Sequence, residues 1–349
     1  MKSLLFILNE KNVNIGDYIQ SLAARQFIKR KDEILYYDRE QLHLYEGEEV
    51  KVVMNGWFMH HSENWPPSTK IYPLFRAFHI NVEAYEKILS PENIQYLKQY
   101  EPIGCRDYDT VERLREKGVN AYFSSCLTTT LGYKYKDSEK TDDIFIVEPV
   151  HYLPEMSRRF QKYLFLFQYL FYFNGVSKYI KNLRRNCPDY IIGFSLKNFN
   201  RLACAVRSYL LIKQILTADE MKRIQVITQY YTADEVPDLN MRYIMAEDLV
   251  KRYAKASFVI TSRIHCALPC LGLGTPVVFM QNEDDSFESR CRFKGLIDLF
   301  NVVHFKRDCI LSKPDALMRG IINLKNKTSY MGYSRKLIED CEKFFNDEA

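Results

Sequence analysis

The sequence predicts an α/β protein built from two doubly wound, Rossmann-like domains that face each other across a cleft. Short apolar runs rich in β-branched residues alternate with helical periodicities along most of the 349 residues. A charged stretch at residues 133–143, nearly devoid of aliphatic side chains, divides that alternation into two blocks. One segment, ASFVITSRIHCALPCLGLGTPVVFM (256–280), reads as a complete strand–turn–helix–strand unit. The expected boundaries are 1–137 and 138–312 for the two domains and 313–349 for a helical tail. A hydrophobic fraction of 47% suffices for two cores.

In the first block, residues 3–8 read as a strand and 9–14 as a polar loop. A helical pattern over 15–31 (Ile19, Leu22, Ala23, Phe27) is entered through Asn14, Gly16 and Asp17. Glycine there admits a ligand close to the backbone; Asn and Asp offer either a helix cap or contacts to sugar hydroxyls. Residues 33–38 and 51–55 are the next strands. The second leads through Asn55 into a loop reaching Pro67, rich in His, Trp, Asn and Pro, a composition suited to stacking on sugar faces. His60 and His61 have no matching carboxylate or cysteine arrangement and read as exposed loop histidines. Ser90-Pro91-Glu92 opens a helix. Residues 103–106 form a strand, 109–117 a helix ending at Gly118, and 120–124 another strand. Arg106-Asp107 thus lies at a strand's carboxyl end, either contacting substrate or forming an ion pair that braces the loop.

The second block opens with a strand at 144–147, followed by Glu148, a cleft carboxylate or a solvated turn residue. Residues 158–186 combine seven basic residues with the run YLFLFQYLFYF. That is a core helix with basic flanks or an element lying on an anionic membrane surface. Residues 190–194 resemble a strand and 202–216 a helix. Thr217 and Glu220 make a capping box that opens another helix. Residues 224–228 form a strand and 247–256 a helix. The loop 282–294 carries Arg290 and Arg292, solvated charges or phosphate holders. Residues 302–305 read as an edge strand and 334–345 as a terminal helix.

Within the unit at 256–280, residues 258–261 and 277–280 are strands buried on both faces. Pro269 is tolerated only near a helix start, so the intervening helix begins near Cys266 or kinks. Ser262, Arg263 and His265 therefore fall on the turn at a strand's carboxyl end, facing a helix N-terminus that favours anions. Arginine supplies a fixed cationic fork, and histidine a group that exchanges a proton near neutral pH.

The net charge of +5 permits attraction to phosphorylated substrates or anionic lipid, but with no dense lysine-arginine block it does not indicate nucleic acid. Nine cysteines without a CxxC pair read as reduced thiols of a cytoplasmic protein, not as disulfides or zinc ligands. The apolar run after Met1 is too short for a signal-peptide core, and no stretch approaches the ~20 residues of a membrane span.

The segment TSRIHCALPCLGLGTPVV (261–278) resembles the signature of the polysaccharide pyruvyltransferase family, as do NIGDYIQSLAARQF (14–27), NGWFMHHSENWPPS (55–68), GCRDYDTVERLREKGV (104–119) and SSCLTTTL (124–131). The resemblance implies a GT-B-like pairing of the two domains, with the terminal helix crossing back to the first. It also implies transfer of the enolpyruvyl unit of phosphoenolpyruvate to a sugar or lipid-linked oligosaccharide acceptor, forming a pyruvate ketal in surface-polysaccharide synthesis. His265 and Arg263 would be catalytic, with Ser262, Arg263, Arg290 and Arg292 holding the donor. Asn14, Gly16, Asp17, Asn55, Arg106 and Asp107 would bind the acceptor. No metal or resident cofactor is demanded, because phosphate departs from an already activated carbon. A GT-B glycosyltransferase using a nucleotide sugar, and a non-catalytic glycan-binding or scaffold protein, are the alternatives. With a lipid-linked acceptor, the enzyme would sit peripherally at the inner face of the membrane.

Overall fold

The computed structural model describes residues 1–9, 11–151, 153, 159–192, 199–286 and 290–346. It is a mixed α/β fold with several parallel sheets. The first half contains β1 (Lys2–Ile7), β2 (Asn12–Asn14), β3 (Ile34–Asp38), β4 (Val50–Val53), β5 (Gly56–Phe58), β6 (Ile71–Leu74), β7 (Phe78–Ile80), β8 (Ile103–Cys105) and β9 (Ala121–Phe123). Two parallel sheets, of order β3-β1-β4-β6 and β5-β7-β8-β9, are joined because β4 runs on into β5 and β6 into β7. Each run breaks at a residue of positive φ, Gly56 (138°) and Ala77 (58°).

Four strands here depart from expectation. β2 lies inside the polar loop read at 9–14, β5 inside the stretch read as a loop beyond Asn55, and β6 and β7 were not anticipated. The last three are short pieces without a clear period-2 pattern, and β6 carries Pro73. An aromatic cluster holds them in place: Phe78 meets Phe58 and Phe75 with ring centroids 5.0 Å apart, and Trp65 at 5.8 Å.

The second half contains β10 (Ile144–Val147), β11 (Ile224–Ile227), β12 (Tyr230–Thr232), β13 (Phe258–Thr261), β14 (Val277–Asn282), β15 (Asn301–Lys306) and β16 (Cys309–Ser312). Its sheet has the order β11-β10-β13-β14-β15-β16, parallel except for β16. Counted from β10, this is the doubly wound order 2-1-3-4-5, and the direction reverses between β10 and β13. The first half reverses in the same way between β1 and β4. Ligand crevices open beyond the carboxyl ends of strands at such reversals. The strand expected at the sheet edge, β15, is interior, because β16 pairs outside it. The capping box at Thr217 and Glu220 forms (2.8 and 3.3 Å), but it opens only a 3-10 turn at Glu220–Lys222. Residues 190–192 are not a strand, and the remainder of that expected strand lies outside the described residues.

The halves are stitched together. β2 pairs antiparallel with β12, and the Ile15 N–H donates to the Gln229 carbonyl (2.8 Å). Arg242 donates to the Leu8 carbonyl (3.0 Å), and the Tyr243 hydroxyl to that of Phe6 (2.7 Å). Helix Ile15–Arg25 packs on helices Leu239–Lys255 and Ile264–Leu273. One cluster of buried side chains runs from Leu22 through Leu127 and Leu131 to Leu268 and Phe279. Gly272 explains the small-residue character of helix Ile264–Leu273: a Cβ there would collide with the Thr129 carbonyl. Helix Met331–Asn346 returns to the first half, where Asp340 accepts from Arg76 (2.6 Å) and the Phe344 carbonyl from Lys51 (3.0 Å).

Candidate functional site

β13 ends at Thr261, whose hydroxyl donates to the Val147 carbonyl (2.7 Å) and accepts from the Arg263 N–H (2.9 Å). The chain then turns through Ser262, which donates to the Glu148 carbonyl (2.6 Å) and meets His151 Nδ1 (2.8 Å). The Arg263 carbonyl accepts from Cys266 and Ala267 (3.0 Å each), making Arg263 the helix cap. His265 departs from helical geometry (φ −84°, ψ 16°), so the regular helix starts at Cys266, where Pro269 required it. Pro269 has no N–H for the His265 carbonyl, and the Gln229 side chain donates there instead (3.3 Å). Gly274, at φ 72°, closes the helix.

This turn forms one wall of a cleft of about 300 Å³ between the two halves. Other strands deliver side chains to it at or beyond their carboxyl ends. Asn14 and Asp17 follow β1, Arg39 follows β3, Trp57 and His60 come from β5 and the loop beyond, and Arg106 follows β8. His151 lies beyond β10, Gln229 and Tyr230 beyond β11, and Arg292 beyond β14.

Four guanidinium groups converge on this space. Arg39 and Arg106 are only 4% and 3% exposed, and the Nε of each is buried without a hydrogen-bond partner among the described residues. A buried, unsatisfied cationic donor facing a cavity calls for an anion. Arg106 Nη1 lies 3.5 Å from His265 Nε2. Arg263 donates through Nε to Glu148 (2.7 Å) and lies over the Tyr230 ring (5.4 Å). Glu148, at φ 43°, is held by the Thr228 hydroxyl (2.7 Å) and the Gln229 N–H (3.2 Å). Of the two sequence readings of Glu148, the solvated turn residue gives way to the cleft carboxylate, which braces Arg263 and lines the adjoining chamber. Burial opposes the Arg263 charge, but Glu148 outweighs it and raises its pKa. Burial, together with Arg106 and Arg263, pushes Arg292 down to about 10, which leaves it protonated at neutral pH.

The titrating groups follow from these charges. Burial first, then Arg106, Arg292, Arg39 and Arg263, hold the His265 imidazole well below its ordinary pKa. His151 is lowered likewise by burial and by Arg263 and Arg292. Burial raises the Asp17 carboxyl against the pull of Arg39 and Arg106. Among the described lining residues, Asp17 is the one carboxylate. The site can therefore hold a multiply charged anion beside a neutral imidazole and a carboxyl of raised proton affinity.

Asn14, Asp17, Arg106, Ser262, Arg263, His265 and Arg292 all line this cleft. Four other expected residues do not. Asn55 is buried beneath it, donating to the Gln20 carbonyl (2.9 Å). Asp107 accepts from His79 (2.6 Å) and caps the following helix through the Thr110 N–H (2.9 Å). Asp107 is thus engaged by the His79 imidazole, whose pKa burial lowers, and braces the loop through hydrogen bonds instead of the ion pair considered for Arg106-Asp107. Arg290 is turned away toward Glu283 (3.9 Å). Gly16 contributes space: a Cβ there would lie 2.9 Å from His265 Cβ. Arg39, His151, Gln229 and Tyr230 were given no role; Trp57 was covered only by the reading of its loop as a sugar-stacking surface, and His60 was read as an exposed loop residue. The rule that singled out Arg106 and Arg263 also points to Arg39, the first residue after a predicted strand. Nothing local marks His151 or Gln229, which the fold brings in from other segments.

A second chamber of about 570 Å³ adjoins the cleft and shares His151, Tyr230, Arg263 and Arg292 with it. Tyr179, Tyr190, Leu183 and Ser208 lie on its farther wall.

A profile of the family described as polysaccharide pyruvyl transferase matches residues 14–284, more than three-quarters of the chain. No curated protein matches it. A solved structure of an uncharacterized protein from Klebsiella pneumoniae subsp. pneumoniae NTUH-K2044 is similar over 87% of this chain and 92% of that one, at 11% identity and a TM-score of 0.41.

Proposed function

The chain belongs to the polysaccharide pyruvyl transferase family, and we propose that it transfers the enolpyruvyl unit of phosphoenolpyruvate to a sugar diol, yielding a cyclic pyruvate ketal and phosphate. The observation that carries this reading is the convergence of Arg39, Arg106, Arg263 and Arg292 on one cleft beside His265. Phosphoenolpyruvate presents a phosphate and a carboxylate, and one cation cannot hold both ends; a cluster of guanidinium forks can. In this reading residues 1–137 and 138–312 face each other in the GT-B manner, with the tail 313–349 crossing back.

The lowered pKa of His265 has a direct chemical consequence. Without donor, burial together with the surrounding arginines keeps the imidazole neutral. The anionic donor offsets those charges, and His265 takes up a proton. The imidazolium then gives that proton to the enol CH₂, and C2 becomes electrophilic. One sugar hydroxyl adds to C2 while Asp17 accepts its proton. Phosphate leaves C2, and the second hydroxyl adds there to close the ketal, its proton passing to the departing phosphate. Asn14 orients the diol, and the rest of the glycan extends into the tyrosine-lined chamber. Glu148 keeps the Arg263 fork aimed at the donor.

The test is phosphate release from phosphoenolpyruvate with nitrophenyl or lipid-linked galactosides, together with a mass gain on the sugar. His265→Ala should abolish turnover with donor binding largely kept, since positioned acid–base groups contribute roughly 10²–10⁴-fold. Arg263→Ala should weaken donor binding. Wild-type turnover in both variants would refute the assignment. The second chamber favours one alternative, a nucleotide-sugar glycosyltransferase, since it has room for a nucleoside; release of nucleoside diphosphate in place of phosphate would establish that reading.

A further inference from the structure

Helices Arg159–Phe171 and Phe173–Asn186 carry the most concentrated apolar surface of the described chain. Phe167, Leu170 and Phe171 are 67, 70 and 72% exposed, and Leu166 and Phe173 are exposed as well. These positions follow the three- and four-residue spacing of one helix face. A solvated helix would turn polar groups outward. Here the reverse holds: Gln168, the only residue of 163–173 that is neither aromatic nor aliphatic, donates inward to Asp308 (2.7 Å). Phe165 is buried on the opposite face.

Charge identifies what covers this face. The backbone bonds Tyr172 N to Gln168 O and Val176 N to Tyr172 O carry helical spacing across the bend at Tyr172. The exposed stripe of Phe167 and Phe171 therefore continues through Asn174 to Lys178, Lys181 and Arg185, all exposed. Residues 156–188 contain seven lysines and arginines and not one aspartate or glutamate, while the whole chain nets only +5. Aromatic side chains flanked by a basic face match an interface with anionic headgroups above and acyl chains below. A second copy of the chain would bring an equally cationic stripe against this one.

We propose that this helical ridge is a membrane-docking surface that seats the protein on anionic phospholipid. The ridge lies on the same helical layer as the second chamber, to which helix Phe173–Asn186 contributes Tyr179 and Leu183. Docking would bring that chamber close to a bilayer. The inference does not depend on the catalytic assignment, because lipid binding is measured without donor or acceptor.

The experiment is flotation of the full chain with vesicles of phosphatidylcholine, with and without about one-third phosphatidylglycerol, at low and high salt. Wild-type protein should float with the anionic vesicles, far less with neutral ones, and less at high salt. The variant Phe167→Ser, Leu170→Ser, Phe171→Ser should keep its circular dichroism and lose at least about tenfold in vesicle affinity. Lys178→Glu with Lys181→Glu should lose at least about tenfold for anionic vesicles only. Wild-type protein left behind by anionic vesicles would overturn the proposal, as would undiminished binding by the serine variant. A wild-type dimer that the serine variant converts to monomer, without vesicle binding, would show that a second copy covers the ridge.

Discussion

Replacing Gly16 by alanine separates catalytic geometry from stability. The added Cβ would sit 2.9 Å from His265 Cβ and 3.2 Å from its Nδ1, against about 3.5–4.0 Å for relaxed carbon contacts. Either the imidazole or the first helix must retreat by roughly 0.6–1 Å. A displacement of about 1 Å at a reacting group costs on the order of 10²-fold in rate. Overpacking costs typically about 1–3 kcal/mol, and the gain of alanine over glycine in a helix offsets up to about 1 kcal/mol of that. The melting temperature should therefore move little while kcat for phosphate release falls roughly 10- to 100-fold, the donor KM changing less. Gly332→Ala, where a Cβ meets nothing within 4 Å, is the control and should leave kcat unchanged. A Gly16→Ala enzyme within twofold of wild-type kcat would refute the placement of His265 as the proton donor.

The two remaining predictions concern stability. Gly272→Ala puts a methyl into the Thr129 carbonyl, where neither backbone can yield, and should destabilise by at least about 1–3 kcal/mol; an unchanged melting temperature would show that the joint between the halves is looser than described. His151 and His265 both have folded pKa values below the unfolded value of about 6.5, so the unfolded chain binds more protons in that window. Stability should fall as pH drops from about 6.5, by up to about 1.4 kcal/mol per pH unit for each histidine, until the folded pKa is reached. Phosphate should blunt the fall by offsetting the arginines; calorimetric scans between pH 7 and 5 that are flat in the absence of anions would contradict the burial assigned to these two groups.

Much of the central unit was legible because its signals are local. The β-branched run at 258–261, the position of Pro269 and the closing Gly274 fix strand, turn and helix within 25 residues. That placed Arg263 and His265 on the cleft wall before any tertiary contact was considered. What escaped was set by distant partners. Asn55 and Asp107 are polar residues at strand ends, indistinguishable in sequence from ligand contacts, yet the Gln20 carbonyl and His79 claim them. Gly16 was read as room for a substrate, whereas the room is filled by a side chain almost 250 positions away. β6 and β7 lacked a period-2 pattern because aromatic packing, not alternation, holds them.

The pairing of β2 with β12 has a bearing on how turnover is limited. Gaping of the jaws along that flank would have to unzip a main-chain ladder and bare the apolar side of the first helix, which opposes wide opening there. Admission is then a matter of shape and valence, and, on the reaction proposed above, departure of inorganic phosphate from its nest of guanidinium groups would be the natural slow step.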